Sequence, residues 1–147
     1  MLILGDYADG DEEHAPGDAE IVEYVKSRIR DMNVRAGREQ HFYLHRNRRL
    51  LEADGRWMGR DRKRGALMDL NRLLLGRTGA EAAFEAEGEA CKRLAGRYSY
   101  VLTIDADTRF LPGTVQRMIG TIAHPLNAPR IEGGIRKGFA VLQPQME

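Results

Sequence analysis

The chain has 147 residues, the length of one ordinary domain, and can bury about two thirds of the surface that its unfolded form exposes. Its 23 Lys and Arg residues nearly balance 22 Asp and Glu residues, so the formal net charge of +1 gives no reason to expect nucleic acid as a partner. The single cysteine, Cys91, excludes an internal disulfide framework. No apolar run is long enough to span a bilayer, so we expect a soluble, cytoplasmic chain without a membrane span.

The first part of the chain predicts two strands around one helix. An apolar run predicts a buried strand over 2–4, which Gly5 and Asp6 end. Helical spacing of apolar residues predicts a helix over 18–32, with Asp18 as its N-cap. A second apolar run predicts a strand over 41–45, and residues 46–65 are predicted to form a long polar and basic loop.

The rest of the chain continues the alternation of strands and helices. A leucine stripe predicts a helix over 66–75, whereas the irregular pattern of 76–96 leaves helix and loop both open. Apolar runs predict strands over 100–104 and 138–144, and Pro112 with the apolar spacing after it predicts a helix over 112–122. This alternation predicts an α/β fold with a largely parallel sheet, in which ligands bind beyond the carboxyl ends of the strands.

Two carboxylates, Asp105 and Asp107, follow the predicted strand over 100–104. In an extended chain residues two apart point to the same side, so both can address one cation. Carboxylates about 4 Å apart repel by roughly 4 kcal/mol at an effective dielectric constant near 20, and Mg²⁺ or Mn²⁺ would relieve this repulsion. The alternative is that Asp105 ends the strand and Asp107 caps a turn, both simply solvated, and short motifs of this kind often have no function.

The stretch "GRDRKRG", residues 59–65, places four cations just ahead of the helix predicted over 66–75. These cations and the first amides of the helix are suited to hold a diphosphate. A solvated basic loop is the alternative. Together with the two aspartates, the stretch predicts both halves of a site for a metal ion and a diphosphate.

Three blocks of the sequence closely resemble consecutive blocks of the cyclic β-1,2-glucan synthases. They are "WMGRDRKRGALMDLNRLLLG", "YVLTIDADTRFLPG" and "GTIAHPLNAPRI", and the resemblance extends from "LILGDYADG" to "GFAVLQPQM". The resembling region is their glucosyltransferase domain, which is similar to the family 2 transferases of the GT-A fold. The resemblance implies a partial Rossmann-like sheet and transfer of glucose from UDP-glucose, with inversion at the anomeric carbon, to a growing β-1,2-glucan.

The resemblance also implies roles for particular residues. Asp105 and Asp107 match the D-x-D motif that holds Mg²⁺ or Mn²⁺ on the sugar nucleotide's diphosphate. The residues implied to bind the substrate are Asp6 and Asp9, near the nucleoside, and Arg62, Lys63 and Asn71, which line the donor pocket. Two positions depart from the family block: Asp61 stands where Glu is expected, and Ala66 where Lys is usual, which removes a phosphate contact.

The resemblance implies that residues 1–147 form a single partial transferase domain, truncated at both ends. The family places a further strand before the matching segment, and the general base and acceptor-binding elements after it, so we assign no base. Full-length relatives are membrane proteins with a phosphorylase-like domain, whose transferase acts at the cytoplasmic face of the inner membrane. We expect the chain alone to bind UDP weakly without turnover, and an exposed sheet edge to be able to pair two copies.

Two other functional classes remain open from the sequence. A phosphatase of the haloacid-dehalogenase type also has D-x-D after an apolar strand, but Arg109 stands where that family has Thr or Val. A non-catalytic scaffold derived from a transferase is the second alternative.

Overall fold

The computed structural model describes residues 1–86, 89–133 and 135–143. The chain divides into two compact units, Met1–Val101 and Leu102–Glu147. In chain order, unit 1 contains β1 (Leu2–Asp6), α1 (Asp18–Ala36), β2 (Phe42–Arg46), β3 (Arg49–Leu51), β4 (Arg56–Met58), α2 (Arg62–Leu74), a 3-10 turn (Ala80–Ala83), β5 (Phe84–Ala86) and α3 (Ala90–Leu94).

Unit 1 is built on a three-stranded mixed sheet with the strand order β1-β2-β5. β1 and β2 are parallel and α1 connects them, whereas β5 runs antiparallel to β2. The backbone N–H of Asn47 donates to the carbonyl of Ala83, so the chain enters β5 at the carboxyl end of β2 and runs back along it. The α/β class is thus confirmed, but the prediction of a mostly parallel sheet is wrong, because one of the two strand pairs is antiparallel.

The sheet of unit 1 packs helices on both faces, as the alternation of side chains along β2 requires. Tyr43 is buried on one face, in a cluster with Val22 and Ile29 of α1. Leu44 is fully buried on the other face. Its cluster contains residues of α2, the 3-10 turn, β5 and α3, namely Leu70, Leu73, Leu74, Ala83, Phe84, Ala90 and Leu94.

Several predicted elements of unit 1 are present with changed bounds. The first strand extends to Asp6, and the predicted loop over 46–65 contains the antiparallel β3–β4 hairpin. Gly17 is the N-cap of α1, so the prediction of Asp18 as N-cap is wrong. Asp18 is instead the first helical residue, and its carboxylate accepts a hydrogen bond from the N–H of Ala15 at 2.7 Å.

Unit 2 contains α4 (Thr114–Ile122), a 3-10 turn (Pro125–Asn127) and an antiparallel hairpin of β6 (Arg130–Glu132) and β7 (Ile135–Lys137). The predicted helix after Pro112 is therefore confirmed. None of the residues of α4 is buried.

The predicted strands over 100–104 and 138–144 are not borne out. Residues 100–104 have no regular secondary structure and their side chains are exposed, and the described part of the second segment, 138–143, contains no strand. An apolar run indicates that burial would be favourable, but a strand also needs a neighbour to satisfy its backbone hydrogen bonds. The described three-stranded sheet consists of β1, β2 and β5.

Candidate functional site

A buried arginine, Arg46, lies between two carboxylates at the carboxyl ends of β1 and β2. Asp6 and Arg46 are register partners of the two strands, and Nη1 of Arg46 lies 3.6 Å from Oδ2 of Asp6. Its Nε donates to Oδ2 of Asp69 on α2 at 3.0 Å. Only 3% of Arg46 is exposed. A buried cation needs such partners, because an unpaired charge in the interior is strongly destabilising.

The same guanidinium binds the backbone of residues 59–65, which comprise the turn before α2 and the first residues of that helix and which we call the basic loop. Nη2 of Arg46 donates to the carbonyl of Arg60 at 2.7 Å, and Nη1 donates to the carbonyl of Arg62 at 3.3 Å. Arg46 therefore fastens the basic loop to the strand ends, while the side chains of Arg60 and Arg62 remain exposed.

Two glycines allow the basic loop to approach this closely. A Cβ atom at Gly59 would lie 2.6 Å from Oδ1 of Asp6. A Cβ atom at Gly65 would overlap the carbonyl oxygen of Arg60 and lie 2.6 Å from Nη2 of Arg46. Neither position can accept a side chain unless the loop or the charged groups move.

The basic loop also contains two left-handed residues that are not glycine. Asp61 has φ 56° and Arg62 has φ 43°. Such conformations cost about 1–2 kcal/mol per residue, so surrounding contacts must hold them. One such contact is the ion pair of 2.6 Å between Nη2 of Arg62 and Oδ2 of Asp9.

Asp9 itself is placed by a backbone bridge beside it. Gly10 and Trp57 of β4 exchange two backbone hydrogen bonds, of 2.9 and 2.8 Å. The structure thus brings together three of the predicted substrate-binding residues, Asp6, Asp9 and Arg62, around one loop.

The carboxyl group of Asp6 is affected by its partly buried position. Burial raises the pKa of Asp6, and the nearby Arg46 guanidinium opposes this effect without cancelling it.

Lys63 and Asn71 lie on α2 with exposed side chains. A helix rises 1.5 Å per residue, which places Asn71 about 12 Å further along the helix axis than Lys63. The two residues therefore occupy different parts of the helix surface. Their predicted contact with a donor sugar nucleotide stays a prediction.

The D-x-D motif lies in unit 2 and forms a turn rather than a strand end. The N–H of Thr108 donates to the carbonyl of Asp105 at 3.0 Å, which closes a turn over Asp105 to Thr108. Both Asp105 and Asp107 are exposed. The extended geometry expected for the motif is absent, whereas the predicted sharing of one cation is untested. No group of three or more metal-ligating side chains occurs among the described residues.

A second polar cluster lies on the α1 face of the sheet. Arg48 is buried, donates to the carbonyls of Ala8 and Glu13, and pairs with the Asp18 carboxylate. The hydrogen bond from Arg48 lowers the pKa of Asp18. Arg48 also lies over the ring of Tyr7, 4.6 Å from its centroid. This cluster fixes the loop between β1 and α1.

The structural role of Arg46 and Asp69 was not predicted from the sequence. One usable signal was present, since Asp69 lies three positions from Ala66 and four from Leu73, on the apolar face of α2. An acid among core positions indicates a buried partner of opposite charge. Arg46 gave no such signal, because it followed a predicted strand and began a polar segment.

The structure thus defines an α/β protein with a charged cluster at parallel strand ends, and sequence comparison adds a relative. The chain is similar to the cyclic beta-(1,2)-glucan synthase NdvB of Rhizobium meliloti (strain 1021), with 35% identity over 152 aligned positions. The match covers 99% of this chain and 5% of that protein, so the chain corresponds to a small part of its length. The resemblance to cyclic β-1,2-glucan synthases is therefore confirmed.

No protein-family model matches the chain. Within the described residues, no helix combines the length and the apolar character needed to cross a membrane.

Proposed function

We propose that the chain is the nucleotide-sugar-binding part of an inverting glucosyltransferase that uses UDP-glucose in cyclic β-1,2-glucan synthesis. The observation that carries the proposal is the match of almost the whole chain to a cyclic beta-(1,2)-glucan synthase. The cluster at the carboxyl ends of β1 and β2 supports it, because α/β sheets bind ligands at this edge.

In unit 1, the basic loop supplies charge for the diphosphate of UDP. Arg60 and Arg62 have exposed side chains on a backbone that Arg46 holds in place. A guanidinium group can donate two parallel hydrogen bonds to phosphate oxygens. A loop that is already held in place loses less conformational entropy when it binds. Asp6 and Asp9 lie next to the loop and are assigned to the nucleoside, and Lys63 and Asn71 to the rest of the donor.

In unit 2, Asp105 and Asp107 are assigned to Mg²⁺ or Mn²⁺. Two exposed carboxylates fit a hard cation that takes its remaining ligands from water and phosphate. When bound, such an ion would neutralise charge on the departing UDP.

No residue of the chain is assigned as general base, so the chain alone is expected to bind donor without turnover. The acceptor, a growing β-1,2-glucan, and a site of action at the cytoplasmic face of a membrane are proposals taken from the resemblance. The sheet edges β1 and β5 are where two copies could pair.

Calorimetry with UDP tests the two halves separately. Arg62→Ala should weaken UDP binding roughly tenfold, a loss of about 1.4 kcal/mol, and Arg28→Ala, an exposed arginine of α1, should not. Asp107→Ala should abolish the dependence of UDP binding on Mn²⁺, with Asp31→Ala as the matched exposed acid. Equal heats in parent, Arg62→Ala and Asp107→Ala would refute the proposal.

A phosphatase assay with p-nitrophenyl phosphate separates the remaining enzyme class. We expect no hydrolysis, because Asp105 follows an irregular segment rather than the strand that would carry a nucleophilic aspartate. Mg²⁺-dependent turnover that is lost in Asp105→Asn would favour the phosphatase instead.

A further inference from the structure

We infer that Arg46 is a positioning residue, which holds the basic loop in the conformation that binds a nucleoside diphosphate. The inference rests on the proposed function for the identity of the ligand. Arg46 is buried beneath the loop and has no contact with the ligand in this proposal. It sets the position of the loop cations that bind the ligand.

Arg46 has two groups of contacts. On one side its guanidinium pairs with the carboxylates of Asp69 on α2, 3.0 Å from Nε, and of Asp6 on β1, 3.6 Å from Nη1. On the other side it donates to the backbone carbonyls of Arg60 and Arg62, at 2.7 and 3.3 Å. One buried, planar group thus connects two rigid elements to both sides of Asp61.

The loop needs such a connection because its own backbone is unfavourable. Asp61 and Arg62 have φ values of 56° and 43°, and two backbone hydrogen bonds outside the helical ladder of α2 close the turn among the described residues. These are Arg62 N–H to Gly59 carbonyl at 3.0 Å and Gly65 N–H to Asp61 carbonyl at 3.1 Å. Without Arg46, the Arg60 carbonyl would lose the partner that fixes its direction.

A lysine cannot replace Arg46 in this role. Its ammonium is a single point on a flexible stem, whereas the guanidinium reaches Asp69 with one nitrogen and the two carbonyls with the others. Arg46→Lys therefore keeps the positive charge between Asp6 and Asp69 and releases the loop. The substitution tests position separately from charge.

Gly65→Ala provides a second variant that leaves Arg46 unchanged. The added methyl group would overlap the Arg60 carbonyl oxygen, which must then turn away from Nη2 of Arg46. The control is Asn33→Ala. Asn33 joins α1 to residues 40 and 41 by three hydrogen bonds and contacts no residue of the basic loop among those described.

The experiment measures UDP affinity in the presence of Mn²⁺, amide exchange of residues 59–65, and the urea midpoint of each variant. We expect Arg46→Lys and Gly65→Ala to weaken UDP binding about tenfold and to increase exchange of the Arg62 and Gly65 amides. Asn33→Ala should lower the midpoint while affinity per folded molecule stays unchanged. If Arg46→Lys does not fold, Gly65→Ala decides the same question.

The outcomes separate the two proposals. Parent-like loop exchange and affinity in Arg46→Lys or in a folded Gly65→Ala variant overturn the positioning role. If the parent does not bind UDP but both variants increase loop exchange, Arg46 still positions the loop and the proposed function fails. If Asn33→Ala weakens UDP binding as much as Arg46→Lys does, the loss of affinity follows from lower stability alone. That result would also overturn the positioning role of Arg46.

Discussion

Arg46 and Arg48 are two buried arginines with different tasks. Arg46 connects the strand ends to the basic loop, and Arg48 fixes the segment before α1 through Asp18 and two carbonyls. Each replaces water by several carboxylate and carbonyl acceptors, and a buried guanidinium needs such partners. The polar interior at this end of unit 1 is therefore organised by two buried arginines.

His45 is a third buried polar residue, and it carries a pH dependence. Its Nδ1 is hydrogen bonded to the hydroxyl of Tyr43, its ring lies 3.8 Å from that of Tyr7, and it is 4% exposed. Burial lowers the pKa of His45 below 6.5; Glu85 and Asp18 oppose this shift, while Arg48 and Lys26 reinforce it. The folded state therefore favours the neutral imidazole.

The sign of the effect follows from this lowered pKa. Stability due to neutral His45 is complete above pH 6.5 and is lost as the pH falls below it, because the unfolded chain takes up the proton first. We expect the urea midpoint to decline between pH 6.5 and 5 and to decline less in His45→Gln. His14→Gln, which removes an exposed imidazole, is the control. An identical decline in parent and His45→Gln would contradict the prediction.

At the scale of elements, the parts that the sequence predicts best are those with local causes. The apolar spacing of α1 and the apolar runs of β1 and β2 are local patterns that predict these elements directly. All three occur within a few residues of the predicted bounds. The start of α2 was less accessible, because it begins at Arg62, after a left-handed Asp61 without a side-chain cap. The contacts that hold this geometry come from Arg46 and Asp9, both distant in sequence.

The strand predicted over 100–104 shows the opposite case. Its composition favours a strand, yet pairing depends on which edge is available, and composition carries no information about edges. The same reasoning explains why β5 was missed. Phe84–Ala86 is short and lies in a segment rich in helix formers, and it becomes a strand because β2 lies beside it.

The end of α1 offers a test at this scale. Gly37 is its C-cap with φ 64°, and a Cβ atom there would meet nothing within 4 Å. Gly37→Ala should therefore cost only the conformational penalty, about 1 kcal/mol in the free energy of unfolding. Gly37→Asn should cost less, because Asn tolerates the left-handed region. Equal stability of Gly37→Ala and the parent in urea unfolding would contradict this.

At the scale of the whole molecule, the described hydrophobic core belongs to unit 1. Both clusters of buried apolar residues lie within Met1–Val101, whereas no residue of α4 is buried. Unit 1 therefore contains the packing that a cooperative domain requires.

A shortened chain tests this division. We expect residues 1–101 to unfold cooperatively in urea, as judged by circular dichroism, with a midpoint close to that of the full chain. In the shortened chain Leu44→Ala should remove about 2–5 kcal/mol, because Leu44 is fully buried. A featureless unfolding curve for residues 1–101, or no effect of Leu44→Ala, would show that the unit does not fold alone.

The position of Trp57 has a practical consequence. It is the single tryptophan of the chain and is partly buried. It lies two residues before the start of the basic loop, and its backbone pairs with that of Gly10. Its emission therefore reports on the neighbourhood of Asp9 and the loop without any label. If UDP shifts the emission maximum or changes the fluorescence intensity of Trp57 in a titration, the signal comes from the place where the nucleotide is proposed to bind.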